Sequence, residues 1–299
     1  MNVGFIGTGS MGNPLAMNLI KGGYTLFVHD ICQRACDNLI DAGARFCASP
    51  REIGHACEAV FLSLPSHVEV SSVCFSDDGL FSGLKSGAFL IDLTTVSIRV
   101  IPQIEEAERR LGFHYLTSPV SEGVDNAKKG RVSVFVGGKK EDYESCLDLY
   151  RSFSRETIFT GSHFTAIAAK LLTNLLWFVN ASAIGEALVL GAKSGIELRT
   201  LQKVIVNSCG SSWVATHDME SIFNGSYDES FTTKLCCKDL RLINELATDL
   251  NVPLEIGALV EQIFRRASNV YGPESPELSV VRYLEEVTKT RLQTGDYTD

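Results

Sequence analysis

The chain has 299 residues, 45% hydrophobic and 21% charged, a balance that excludes a disordered or fibrous chain and leaves room for two globular domains. A formal net charge of −9, with no compensating basic run, argues against a nucleic-acid or anionic-membrane surface. Nine cysteines form neither a Cys-x-x-Cys array nor a Cys/His cluster with zinc spacing, so no metal site is expected. They read as reduced, mostly buried thiols, and with no charged leader before an apolar core the expected location is cytoplasmic.

Residues 3–6 form a short apolar strand that runs into Gly7-Thr8-Gly9-Ser10-Met11-Gly12, and Leu15, Ala16, Leu19 and Ile20 follow at helical spacing. A strand, a Gly-x-Gly-x-x-Gly turn and a helix, in that order, are what a dinucleotide pyrophosphate needs. Gly7 permits the tight turn, Gly9 lets phosphate approach the backbone, and Gly12 lets helix and strand pack closely. The helix N-terminus adds unpaired N–H groups and the positive end of a dipole.

Further strands are expected at 26–28, 60–64, 89–93, 115–116, 132–136 and 157–159, with helical stretches such as 34–42 and 100–111 between them. Alternation of this kind predicts a mostly parallel, doubly wound α/β sheet. Asp30 closes the second strand, 18 residues beyond Gly12, where a carboxylate accepts hydrogen bonds from ribose hydroxyls and repels a 2′-phosphate. The alternative is a helix cap, and Arg34 nearby keeps NADP open beside NAD. Leu64-Pro65 and Thr94-Thr95 end two later strands at the same sheet edge.

From 165 to 193 nearly every residue is a helix former, with apolar residues on most faces, so the helix must be buried under its own domain or against another subunit. Its most apolar part, between Lys170 and Glu186, is shorter than the roughly 18 residues of a membrane span and is interrupted by Asn174 and Asn180. Lys170 and Asn174, at i and i+4, share one face and can meet one substrate. Burying the lysine charged is costly, so its pKa should fall toward that of a neutral-pH general base; the alternative is a lysine snorkelling to the surface. The rest of the chain is helical in pattern, broken at Gly210, Asn224-Gly225, 251–253 and Gly272-Pro273. Two domains are expected, a dinucleotide-binding domain over 1–162 and a helical substrate and oligomerisation domain over 163–299, joined by the long helix.

Five separated stretches, in order, resemble the signatures of the β-hydroxyacid dehydrogenases, which include 3-hydroxyisobutyrate dehydrogenase and tartronate semialdehyde reductase. They are Gly7 to Gly12 with Asn18-Leu19; Asp92-Leu-Thr-Thr95; Ser118-Pro-Val-Ser-Glu-Gly123 with Gly130 and Val136-Gly-Gly138; Lys170-Leu-Leu-Thr-Asn174; and Phe231 through Lys238-Asp239-Leu240. The resemblance covers essentially the whole chain. It implies a Rossmann-type domain followed by an all-helical domain, NAD or NADP as cofactor, a small hydroxyacid or semialdehyde as substrate, and a homodimer or homotetramer. It also implies that Gly7 through Gly12, Asp30, Leu64, Pro65, Thr95 and Lys238 meet the cofactor. Lys170 would exchange the substrate's hydroxyl proton, Asn174 would orient the substrate, and Ser121, Glu122 and Gly123 would border its carboxylate. Trp213 and Phe231 would supply apolar walls, plain core being the alternative for both.

Three positions depart from the family pattern. Glu122 replaces the first glycine of a Ser-Gly-Gly loop, Ile98 stands where a proline is usual, and Phe164 and Ala166 stand where glycines are common. If the Glu122 carboxylate points inward it repels an acidic substrate, and specificity then differs from that of the hydroxyisobutyrate enzymes. If it points away, only the backbone nest remains. Two rival readings are an imine-reductase-like enzyme of the same superfamily and a non-catalytic dinucleotide-binding or regulatory module. Both usually lack the lysine that stands here at 170.

Overall fold

Residues 1–294 are described by the computed structural model, and the chain divides into two compact units, Met1–Lys170 and Leu171 onward. The division falls inside the long helix.

The first unit is built on one nine-stranded sheet: β1 (Asn2–Ile6), β2 (Thr25–His29), β3 (Arg45–Phe46), β4 (Ala59–Leu62), β5 (Phe89–Asp92), β6 (His114–Thr117), β7 (Val120–Ser121), β8 (Val132–Gly138) and β9 (Ser154–Gly161). The spatial order is β3-β2-β1-β4-β5-β6-β8-β7, with β9 also paired to β8. The first six strands are parallel, and β8 runs antiparallel to β6 and β7. β4 is buried at all four of its residues, Ala-Val-Phe-Leu, as a central parallel strand must be when both sheet faces are covered. Val3, Phe5, Phe61, Ile91 and Leu116 pack into one core with Leu15 and Leu19 of the first helix and with Tyr150 and Phe153.

The order of the strands reverses between β1 and β4, and ligands of such sheets bind in the crevice outside the carboxyl ends at that point. The doubly wound fold expected from the sequence is therefore present. β3 and β7, with two residues each, are too short to show a period in sequence. The 34–42 helix is broken into a 3₁₀ turn, Gln33–Cys36, and a short helix, Asp37–Asp41.

In the second unit the four expected breaks all fall between helices: Leu198–Val206, Met219–Phe223 (entered through a π turn at Val214–Asp218), Thr233–Asp249, Glu255–Tyr271 and Ser279–Thr288. The long helix spans His163–Lys193 and, by length and composition alone, could cross a membrane; it is longer than the apolar segment that the sequence marks. Phe178 and Ile184 are nevertheless buried, and Phe178 meets Phe264 edge-on at 5.1 Å, so this is a core helix of the unit. Gly191 lets it approach Leu201, where a Cβ would stand 2.4 Å from the leucine side chain. The helix is not buried all round: Leu172, Leu176 and Leu190 are 56%, 63% and 70% exposed.

All nine cysteines are free and six are buried. Burial pushes the Cys57 and Cys146 thiols up to about 12 and raises Cys236 as well, which keeps them unreactive thiols.

Candidate active site

The glycine turn begins where β1 ends. Gly7 has φ +91°, its N–H donates to the His29 carbonyl at the end of β2, and a Cβ there would lie 2.3 Å from the Ser63 carbonyl oxygen. At Gly12, the first residue of the helix Gly12–Lys21, a Cβ would stand 2.0 Å from the Gly7 carbonyl oxygen. At Gly9 a Cβ would meet nothing within 4 Å. Two glycines are thus required by the fold itself. The middle one keeps open space over the backbone, which is the space a pyrophosphate needs at a helix N-terminus. Ser10 is exposed and Met11 half-buried at the same turn, so the loop fits a dinucleotide.

Asp30 follows β2 and is held from two sides. Its Oδ2 accepts the Thr8 N–H at 2.7 Å, and its Oδ1 accepts the Cys32 N–H at 2.9 Å. The carboxylate is fixed beside the glycine turn. Across the switch point, Leu64 follows β4, and its N–H donates to Thr94 Oγ1 at 3.1 Å. Pro65 is exposed and Thr95 half-buried in the loops that follow β4 and β5. Beneath them lies Asp92, which has no exposure, and whose Oδ1 accepts the Thr94 N–H at 2.9 Å. The sequence marks Thr94 as a hydroxyl donor at the sheet edge, with a helix cap as the alternative, and gives Asp92 no role.

Ser121 ends β7, and Glu122 and Gly123 turn the chain into the helix Gly123–Lys128. Both turn residues are left-handed, at φ +80° and +73°, so a glutamate occupies a conformation that favours glycine. The Glu122 carboxylate does not stand alone. Oε1 accepts from Ser133 Oγ of β8 at 3.0 Å and from the Arg155 guanidinium of β9 at 2.6 Å. These bonds tie the side chain to the sheet through β8 and β9. Asn18 of the glycine-loop helix donates to the Ala127 carbonyl at 2.7 Å, which joins the cofactor helix to the helix of this loop.

Within the second unit, Asn174 Nδ2 donates to Asp239 Oδ2 at 2.7 Å, and Lys238 Nζ stands 3.0 Å from Asp239 Oδ1 as an ion pair. Asp239 is 2% exposed. A buried carboxylate in an apolar helical unit needs such partners, and here they are two of the residues singled out by sequence. Lys170, the last residue of the first unit, lies one turn before Asn174 along the same helix and is half-buried. Trp213 is 39% exposed and stacks on His217, with ring centroids 3.7 Å apart. Phe231 is half-buried in the loop before the helix Thr233–Asp249, and Phe164, one of the departures from the family pattern, is exposed.

Asp218, in the π turn, accepts the Trp177 indole N–H at 2.8 Å. Burial pushes its carboxyl up to about 6 from the ordinary 3.8. The folded chain therefore holds this proton more tightly than the unfolded chain. The resulting stability is complete below pH 3.8 and is lost as pH rises through about 6. Asp218→Asn, which keeps an acceptor for Trp177, is expected to stabilise the protein by about 1–3 kcal/mol at pH 7.5 and by less at pH 5. Thermal unfolding of the two proteins at the two pH values checks this, and an equal shift at both would count against it.

A glycine turn at the switch point and a fixed acidic residue at the end of β2 define the class of the first unit, a dinucleotide-binding domain. Residues 2–161 match the family model for the NAD-binding domain of 6-phosphogluconate dehydrogenase. Residues 165–284 match that for the NAD-binding domain of NADP-dependent 3-hydroxyisobutyrate dehydrogenase. The chain is 30% identical to mitochondrial 3-hydroxyisobutyrate dehydrogenase of Mus musculus, over 95% of this chain and 87% of that one. It is also 30% identical to the NAD-dependent L-serine dehydrogenase of Pseudomonas aeruginosa, over 96% and 98%. A solved structure of 3-hydroxyisobutyrate dehydrogenase from Salmonella typhimurium superposes with a TM-score of 0.86 at 26% identity, covering 95% of this chain and 99% of that one. The chain belongs to the β-hydroxyacid dehydrogenase family and is an NAD(P)-binding oxidoreductase.

Proposed function

We propose that the protein transfers a hydride between NAD and a small β-hydroxyacid or its semialdehyde, with Lys170 as general acid and base. The observation that carries this is the Asn174–Asp239–Lys238 cluster one helical turn from Lys170. The bound dinucleotide supplies the hydride acceptor or donor. Lys170 takes the hydroxyl proton in oxidation and returns it in reduction. Asn174, its amide nitrogen committed to Asp239, orients the substrate oxygen. Ser121 and the backbone N–H groups at Gly123 hold the substrate carboxylate, while Trp213 and Phe231 provide apolar walls. The Asp30 carboxylate beside Thr8 favours NAD over NADP by repelling a 2′-phosphate. The exposed leucines of the long helix support a homodimer or homotetramer, and the free, mostly buried cysteines support a cytoplasmic protein.

The test is absorbance of the reduced nicotinamide during incubation with 3-hydroxyisobutyrate, serine, threonate, glycerate, 4-hydroxybutyrate and the matching semialdehydes, each with NAD or NADP. Turnover of one of them with NAD is expected. Silence across the panel from protein that binds NADH would favour a non-catalytic role.

The Glu122–Arg155 pair bears on the substrate. Arg155 offsets the negative charge beside the carboxylate-binding loop, which then accepts an acid. Arg155→Ala is expected to raise KM for the hydroxyacid about 3- to 10-fold, most at low salt, and adding Glu122→Gly should restore it. Equal KM values for all three proteins would separate Glu122 from substrate recognition.

A further inference from the structure

We propose that Asp92 is a positioning residue for the dinucleotide: acting through Thr94, it sets the loop at Leu64 that borders the cofactor crevice. The inference rests on the dinucleotide reading of the first unit and concerns residues of that unit alone.

β4 and β5 run parallel with Leu62 opposite Asp92, so their carboxyl ends open side by side onto the crevice. Beyond Leu62 the chain leaves the sheet, and the Leu64 N–H has no strand partner. It is satisfied by Thr94 Oγ1 at 3.1 Å. Thr94 is 2% exposed, and its hydroxyl also bonds the Asp92 carboxylate. A hydroxyl that donates to a carboxylate presents its lone pairs elsewhere, here to the Leu64 N–H. The Thr94 N–H is taken by Asp92 Oδ1 at 2.9 Å, so both the backbone and the side chain of Thr94 answer to one carboxylate. The second oxygen faces the Tyr115 hydroxyl of β6 at 3.5 Å, and the Asp92 carbonyl accepts the Ser118 N–H at 2.7 Å.

The carboxylate sits where three strand ends meet, with no exposure to solvent. Burying an acid is unfavourable unless donors converge on it, and charged acceptors hold their donors more tightly than neutral ones. Desolvation pushes the carboxyl up to about 6, while the Thr94 and Tyr115 donors pull the other way. Among the described residues the Cys74 thiol of the helix His67–Phe75, itself raised by burial, also faces it. Nothing in the proposed proton transfer uses Asp92. Its bonds lead instead to Thr94, next to Thr95, and to Leu64, next to Pro65, three of which are expected to meet the dinucleotide.

Without the carboxylate, the Thr94 hydroxyl loses the acceptor that orients it, and the Leu64 N–H loses a fixed partner. The loop loosens and cofactor affinity falls, whereas Lys170 and Asn174 are untouched. The experiment is fluorescence titration of the wild type, Asp92→Asn, Thr94→Val and the double variant with NADH, with steady-state kinetics alongside. Each single variant is expected to bind NADH about 10-fold more weakly, and the double variant no more than about twice as weakly as either single, because both changes cut one chain of bonds. KM for the dinucleotide should rise, with kcat at saturating dinucleotide and KM for the hydroxyacid within about 3-fold of wild type. Unchanged NADH affinity in a folded single variant, or losses that multiply in the double, would overturn the proposal. Thr94→Val preserves shape and decides the matter alone if Asp92→Asn fails to fold. A wild type that binds neither NADH nor NADPH would instead refute the dinucleotide reading on which the inference stands.

Discussion

Lys170→Ala is expected to lower kcat for the hydroxyacid by about 10³-fold and to leave the Kd for NADH within about 2-fold of wild type. The magnitude follows from what a positioned general acid or base contributes, about 10² to 10⁴ in rate. The selectivity follows from location, since the cofactor loop is built from β1, β2 and β4 of the sheet, whereas Lys170 sits seven residues into the long helix. The same change separates an enzyme from a binding module, because a module keeps its function without the lysine. A variant that retains most of its turnover would assign the proton transfer to another group.

Gly9→Ala and Gly12→Ala, two substitutions in one loop, are expected to fail in opposite ways. At Gly12 the new methyl would stand 2.0 Å from the Gly7 carbonyl oxygen and 3.1 Å from the Phe5 ring. Backbone must move to admit it, and the variant should lose several kcal/mol, about 2–4, of stability. At Gly9 the methyl meets nothing within 4 Å, and the residue has no positive φ, so the fold accepts it with a neutral or slightly favourable effect of about 0.4–1 kcal/mol. The methyl does, however, occupy the space through which a pyrophosphate reaches the N–H groups. NADH affinity should fall at least about 10-fold, or ~1.4 kcal/mol, with Tm unchanged or raised. Differential scanning calorimetry and NADH titration on both variants read the two effects separately. Full NADH binding by Gly9→Ala would mean that the turn is only a turn.

The legibility of these features differs for a physical reason. The glycine turn, the strand before it and the helix after it are contiguous, and each glycine answers a local backbone demand, so the loop can be read from twelve residues. Lys170 and Asn174 are legible for the same reason, because a helix of fixed pitch sets i and i+4 on one face. The breaks between the later helices are carried by Gly, Pro and Asn, which act on their own backbone. Against that, β3 and β7 are too short to display a period, and the 34–42 helix divides at Cys36 where no breaker residue stands.

What tertiary structure alone decided are pairings between residues far apart in the chain. Glu122 was ambiguous because its partner Arg155 lies 33 positions away, brought near through the pairing of β8 with β9. Asn174 meets Asp239 across 65 positions, and Leu64 meets Thr94 across 30. Asp92 stands in sequence only within the Asp92-Leu-Thr-Thr95 element; its burial depends on β4 and β6 flanking it in register. The sequence by itself determined the α/β class, the dinucleotide turn and the lysine face of the long helix, because local geometry suffices for each. The direction of a side chain and the partner of a buried charge were decided only by the register of strands and the packing of helices, which no local pattern encodes.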